Sequence, residues 1–172
     1  MDDGFVDLSA DGFDAGIRLG EQVDADMIRR RITGPIAWQI VASPDYLARC
    51  GTPTLPEELI NHNCITYRFT SSAAIYRWEL VQGARTVTYS LKGALVVNDA
   101  GAKCTAARQG LGLAYDLKST FADDVARGAL VPVLERFCQV SEGFFLYYPA
   151  RRQVMPKLRA FIDVVSRHQF SL

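Results

Sequence analysis

The chain has 172 residues, 49% of them hydrophobic and 22% charged, and its nineteen basic and nineteen acidic residues give a formal net charge of zero. That length can bury a sizeable core in one domain or two small lobes, and the charge balance excludes an overall field drawing the chain to nucleic acid or anionic lipid. Cys50, Cys64, Cys104 and Cys138 stand far apart with no CxxC or Cys/His cluster, which excludes the usual zinc spacings and predicts free thiols.

The opening MDDGFVDLSADG has neither a basic region nor a long apolar core, and no apolar run approaches the roughly 20 residues of a membrane span. A cytoplasmic protein with no membrane partner is expected. Phe5, Val6 and Leu8 fit either one helical turn or a short strand. Ala15, Ile17 and Leu19 alternate with Gly16 and Arg18, which predicts a strand stopping at Gly20 with Arg18 near its carboxyl end. Met27 to Ile32 and Ile36 to Ala42 read as extended segments joined by the turn Thr33-Gly34-Pro35. Arg29, Arg30 and Arg31 point alternately to opposite faces of a strand, so they predict a solvated edge strand rather than one basic surface.

Ser43 as cap, Pro44 at the first helical position and Gly51 past the end predict a compact helix. Thr54 and Glu57 have capping-box spacing for a further helix through Leu59, and His62 falls in the polar link after it. Cys64 to Arg68 reads as a strand entering the loop Phe69-Thr70-Ser71-Ser72. Trp78 to Val81 and Thr86 to Leu91 flank Gln82-Gly83-Ala84-Arg85 as an antiparallel hairpin.

The stretch Leu95 to Tyr115 is the most informative. An apolar run, Leu95 to Val97, is followed by the capping residues Asn98 and Asp99, an Ala-rich helix over 100–109, the stop Gly110 and a second strand over 111–115. A helix between two such strands is a βαβ unit, and its helix start lies at the carboxyl ends of the strands, where ligands usually bind. Unpaired backbone N–H groups and the positive end of the helix dipole there favour an anionic or hydrogen-bonding ligand. Asp99, itself an anion, reads first as the helix cap. Tyr67 and Arg68 end a strand aimed at the same place, and Arg68 carries the fork to clamp a carboxylate, its plainer reading being an ion pair.

Beyond Tyr115, Ser119 or Thr120 can cap a helix carrying Phe121 and Val125 that stops at Gly128. Leu130 to Leu134 and Phe144 to Tyr148 read as strands. Val154, Leu158, Phe161, Ile162 and Val165 form one stripe of a terminal helix reaching about Gln169.

This order of motifs resembles the effector-binding domain of LysR-type transcriptional regulators. The resemblance rests on residues 12–20 (GFDAGIRLG), Val41 to Leu47 with Gly51-Thr52-Pro53, Leu59 to Cys64, Trp78, Val97-Asn98-Asp99, Gly110 to Ala114, Gly128-Ala129-Leu130, and Tyr148-Pro149 ahead of Phe161-Ile162. It implies an α/β, two-lobed fold similar to type 2 periplasmic binding proteins. One lobe would comprise approximately 1–40 and 137–172, the other 41–136. The resemblance also implies an incomplete first lobe with an exposed apolar edge promoting self-association, and no winged helix-turn-helix, hence no operator binding by this chain.

A small organic effector, anions included, would lie between the lobes, with Arg18 reaching it from the facing lobe, Tyr67, Arg68, Asn98 and Asp99 at the helix start, and Tyr115 in the wall. Tyr115-Asp116 replaces the less polar residue and proline often found there in the family. Ala102, Ala106 and Ala107 are small enough for close packing in a dimer, either with a second copy or with a full-length homologue. No cofactor or metal is implied. Catalysis is not expected, since a third fingerprint glycine, a GxSxG elbow and a phosphate loop are all missing and His62 and His168 lie in unpromising contexts. The alternatives are a fragment acting through dimerisation with full-length regulators and a stand-alone solute-binding protein, which would need export.

Overall fold

The computed structural model describes residues 12–19, 27–70, 72–150, 155–167 and 170. In chain order the elements are β1 (Gly16–Leu19), β2 (Met27–Arg31), β3 (Ile36–Ala42), α1 (Pro44–Cys50), a 3-10 turn (Pro56–Asn61), β4 (Cys64–Tyr67), β5 (Trp78–Gln82), β6 (Arg85–Tyr89), β7 (Val96–Val97), α2 (Ala100–Arg108), β8 (Leu113–Leu117), α3 (Lys118–Ala126), β9 (Val131–Val133), a 3-10 turn (Glu135–Phe137), β10 (Val140–Ser141), β11 (Phe144–Pro149) and α4 (Pro156–Arg167). They fall into two compact units. The first is Ala37–Gln139; the second holds the described residues up to Ile36 and from Val140 onward. Gly20, Val154, His168, Gln169 and the apolar opening at Phe5, Val6 and Leu8 lie outside the described residues.

In the first unit the strands run β3-β8-β4-β7, with β9 also on β3. β4 is parallel to both β7 and β8, whereas β3 is antiparallel to β8. The expected βαβ unit is therefore present with β4 inserted between its two strands, so that α2 crosses over β4. Strand alternation sorts the core. Ile40 and Ala42 of β3, Cys64 of β4, and Leu113 and Tyr115 of β8 face one cluster with Tyr46, Leu59, Trp78 and Leu80. The intervening Val41, Ile65 and Ala114 face the other, with Cys104, Ala106 and Ala107 of α2, Phe121 of α3, and Leu130. Both faces of this sheet are covered.

Local chemistry sets the element ends. Ser43 Oγ accepts from the Tyr46 amide at 3.2 Å, capping α1, and Asp99 Oδ1 accepts from the Ala102 amide at 2.7 Å, capping α2. Gly110 turns the chain out of α2 with φ +71°, a conformation costly for other residues. At Gly112 a side chain would overlap the Asn63 carbonyl, because Asn63 sews the strand starts together. Its Oδ1 accepts from the Ala94 amide at 2.7 Å and its Nδ2 donates to the Leu111 carbonyl.

Two local expectations change, at Thr54 and at the start of α3. Thr54 bonds Glu58 rather than Glu57, its amide donating to Oε2 at 2.7 Å, and the element that follows is a 3-10 turn with no side-chain cap. Pro56 stands in the first turn of this element, where its missing N–H leaves no helical bond unmade. Ser119 and Thr120 sit inside the first turn of α3, which has no side-chain cap of its own; Asp116 Oδ1 accepts from the Leu117 amide at 2.7 Å instead. His62 is half-buried, its Nδ1 3.1 Å from the Tyr46 hydroxyl.

The second unit is a three-stranded antiparallel sheet in the order β1-β11-β2, so the Arg29–Arg31 strand is indeed at an edge. Leu146 and Tyr148 of β11 pack with Ile32 and with Ile162 and Val165 of α4. Phe145 and Tyr147 point the other way, beneath guanidinium groups: Arg18 lies 5.1 Å from the Tyr147 ring centre, and Arg29 and Arg31 each lie 4.9 Å from that of Phe145. Phe161 leaves the predicted α4 stripe and is 46% exposed, because it is rotated about 100° from Ile162 around the helix. Ile17 of β1, at the other edge, is 52% exposed.

Candidate functional site

The carboxyl ends of the parallel strands β4, β7 and β8 and the amino end of β3 meet at one edge of the first unit's sheet. Side chains follow from that topology. Tyr67 ends β4, and its hydroxyl donates to the Asn98 carbonyl at 3.1 Å, tying the strand to the turn before α2. Asn98 and Asp99 are both exposed there. Sequence reasoning thus groups Tyr67, Asn98 and Asp99, and the fold brings them together.

Arg68 is exposed but turned back on its own loop, with Nη1 donating to the Ala73 carbonyl at 2.9 Å. Its first job is to hold that loop, which is also bonded from the Phe69 amide to the Ala74 carbonyl at 2.9 Å. Tyr115 is not an open wall: it is 1% exposed, and its hydroxyl donates to the Glu79 carbonyl at 2.8 Å. Burial pushes its pKa far up, so it is a neutral structural donor. Arg18 belongs to the second unit, over Tyr147. Ala106 and Ala107 are corrected too. They lie on the sheet-facing side of α2 and are buried in the unit's own core, which leaves Ala102 as the exposed member of the proposed dimer trio.

Two features were missed. Lys103, 4% exposed, places its ammonium 2.6 Å from Asp116 Oδ2, 3.1 Å from the Tyr115 carbonyl and 4.8 Å from the Tyr67 ring centre. The signal was a lone cation among the inward positions of an Ala-rich helix. It also explains Asp116, whose carboxylate is needed to balance a buried cation. The second feature is a chain of rings. Tyr67 meets Phe69 at 5.9 Å, Phe69 meets Tyr76 at 5.8 Å, Tyr76 stacks on Trp38 at 5.7 Å, and Trp38 meets Tyr115 at 5.1 Å.

Nothing here resembles an activated nucleophile. Burial pushes the Cys64 thiol up to about 12 and the Cys138 thiol to about 11, which holds both protonated near neutrality. Among the described residues no three His, Cys, Asp or Glu side chains come together as metal ligands, and no helix is long and apolar enough to cross a membrane.

The family model of the LysR substrate binding domain matches residues 1–169. The chain belongs to that family. A putative transcriptional regulator of Pseudomonas aeruginosa is 39% identical over 162 residues, covering 94% of this chain and 53% of that protein. The HTH-type transcriptional regulator PgrR of Escherichia coli is 37% identical over 163 residues, covering 95% and 54%. The chain therefore spans about half the length of these curated relatives. The full-length structure of AphB, a Vibrio cholerae virulence activator of the LysR family, superposes with a TM-score of 0.75 at 26% identity, covering 95% of this chain and 55% of that one. The mixed α/β architecture is thus the periplasmic-binding-protein-like fold of LysR regulatory domains, and the named relatives are transcriptional regulators rather than enzymes.

Proposed function

We propose that these 172 residues are the sensing part of a cytoplasmic LysR-type transcriptional regulator, and that a small organic effector binds at the carboxyl edge of β4, β7 and β8. The observation that carries this reading is the meeting of Tyr67, Asn98 and Asp99 at the start of α2, the place where open α/β sheets take ligands. Effector binding biases one conformation of the domain over another, and in a complete regulator that bias is the signal.

Thermal shifts over a panel of aromatic and aliphatic acids and their neutral analogues test the reading. A ligand at a hundredfold above its Kd raises stability by about 2.7 kcal/mol, and Tyr67→Phe and Asn98→Ala are expected to shrink that rise. A panel that moves nothing, or a rise untouched by both variants, sinks the assignment. The same residues are expected to give no sequence-specific gel shift with operator DNA. Pairing with a second copy or a full-length relative is proposed through the exposed side of α2, where Ala102 stands beside Gly101; Ala102→Glu should then lower the sedimenting mass.

A further inference from the structure

The indole N–H of Trp38 is sealed from solvent and meets no hydrogen-bond acceptor among the described residues. A buried donor without a partner loses its water and gains nothing in return, so native structures rarely keep one without a reason. Trp38 is not a deep core residue. It is half-buried near the amino end of β3, beside the carboxyl end of β8, with Trp38 paired to Leu117 across the two strands. Two rings flank it, Tyr76 inclined by 21° and Tyr115 by 32°.

The Tyr76 ring that stacks on this indole belongs to a short loop. Tyr76 and Phe69 stand at its two ends, and the loop is held by the Tyr76 amide on the Tyr67 carbonyl at 2.7 Å, the Phe69 amide on the Ala74 carbonyl at 2.9 Å and the Arg68 guanidinium on the Ala73 carbonyl at 2.9 Å. Tyr76 is only half-buried, as is Phe69. Both rings are therefore within reach of a ligand from the solvent side of the sheet edge.

The two cations nearest these rings are already engaged. Lys103 is paired with Asp116, and Arg68 is engaged by its own loop. A ligand anion entering between these rings would lose its hydration without gaining a free cation, whereas a neutral carbonyl oxygen needs only a donor. Flat rings on the wall favour a flat ring in the ligand.

We propose that Trp38 is an effector-binding residue whose indole N–H donates to a neutral carbonyl-type acceptor on a planar aromatic ligand stacked against Tyr76. This rests on the reading that the same sheet edge is the effector site, and it names the class of effector. It also reverses the preference for an anion that Arg68 suggested.

Proton–nitrogen correlation spectra of the whole 172-residue chain test it, with acetophenone, benzoate and cyclohexyl methyl ketone as probes. The Trp38 indole cross-peak is the one lost in Trp38→Phe. Acetophenone is expected to move that peak downfield in the proton dimension, and cyclohexyl methyl ketone to bind about fivefold more weakly for want of ring stacking. Trp38→Phe should weaken acetophenone about fivefold through the lost hydrogen bond. Tyr76→Leu, which leaves the indole peak in place as a reporter, should weaken it similarly.

Shifts of the Tyr67 and Asn98 amides with an unmoved indole peak would overturn the role of Trp38 while leaving the effector site standing. Benzoate binding more tightly than acetophenone would overturn the neutral class. Acetophenone moving no peak at all also overturns the proposal, and the acid and analogue panel then decides separately whether the edge binds any effector.

Discussion

The two units use the same interior chemistry differently. In Ala37–Gln139 the sheet is covered on both sides, by an aromatic-rich cluster around Trp78 and Tyr115 and by a mainly aliphatic one, centred on Phe121, with α2 and α3. In the second unit one side of the sheet packs on α4, and the other is covered by guanidinium groups lying on Phe145 and Tyr147. Covering both faces with apolar side chains fixes strand register, since a one-residue slip would move every buried residue to the wrong side. At the edge proposed to take the effector, Tyr67 and Trp38 are therefore held by strands that cannot slide. Arginines over rings cover surface while keeping their charge in water, which makes a weaker and more adaptable layer.

The largest effect that tests this contrast is a cavity. Phe121 of α3 is fully buried, and Phe121→Ala should cost about 4 kcal/mol, against about 2 kcal/mol for Ile162→Ala on α4, both read from urea unfolding midpoints. Equal costs would show that the one-sided sheet is as tightly packed as the two-sided one. Next comes the buried pair. Lys103 and Asp116 side chains are only 6% and 15% exposed, so Lys103→Met, which strands the carboxylate, should cost about 3 kcal/mol. Adding Asp116→Asn removes that charge and keeps an oxygen for the Leu117 amide, and should restore about half of the loss. If the double variant is no more stable than the single one, the pair is not what holds α2 to β8.

How much of this could be read beforehand follows from the range of each signal. Ser43-Pro44…Gly51 specified α1, because caps and breakers act within one turn. Val97-Asn98-Asp99 located the start of α2 for the same reason. The parity of Ile40, Val41 and Ala42 already implied two buried faces. What escaped was set by partners distant in the chain. Thr54 chose Glu58 over Glu57 once a 3-10 turn formed. Ala106 and Ala107 looked like an outward small-residue face until the sheet under α2 claimed them. Tyr115 looked like a pocket wall, yet the hairpin strand β5 supplies the Glu79 carbonyl that draws it inside. Lys103 and Trp38 were passed over because a cation and an indole N–H acquire meaning only when the surrounding acceptors, or their lack, are known.

A smaller probe of the first unit is its cap. Ser43→Ala removes the oxygen that receives the Tyr46 amide, and a loss of about 1 kcal/mol is expected in thermal unfolding. No change would mean that Pro44 and the packing of Tyr46 alone hold the α1 start.

The smallest effect concerns pH and lies beside that same tyrosine. The Asn63 amide donates to the Tyr46 hydroxyl at 2.9 Å, so the hydroxyl proton is free to go to His62 Nδ1, which must then be unprotonated. Desolvation lowers the His62 pKa below its ordinary 6.5, with the Glu58 carboxylate opposing. The unfolded chain therefore binds this proton more readily than the folded one. Stability from this group is complete above the ordinary imidazole value, declines as pH falls through it, and levels off below the depressed folded value. Glu57 and Glu58, both held low by hydrogen bonds, also lose stability on acidification, at lower pH. Comparing wild type with His62→Gln, whose amide oxygen can still accept from Tyr46, subtracts most of that carboxylate contribution. Urea unfolding at pH 7.5 and 5.5 should show the wild type losing more stability than the variant between the two conditions. Parallel losses would mean that the Tyr46–His62 contact does not depend on a neutral ring, and the two-sided unit would then owe nothing of its cohesion to that proton.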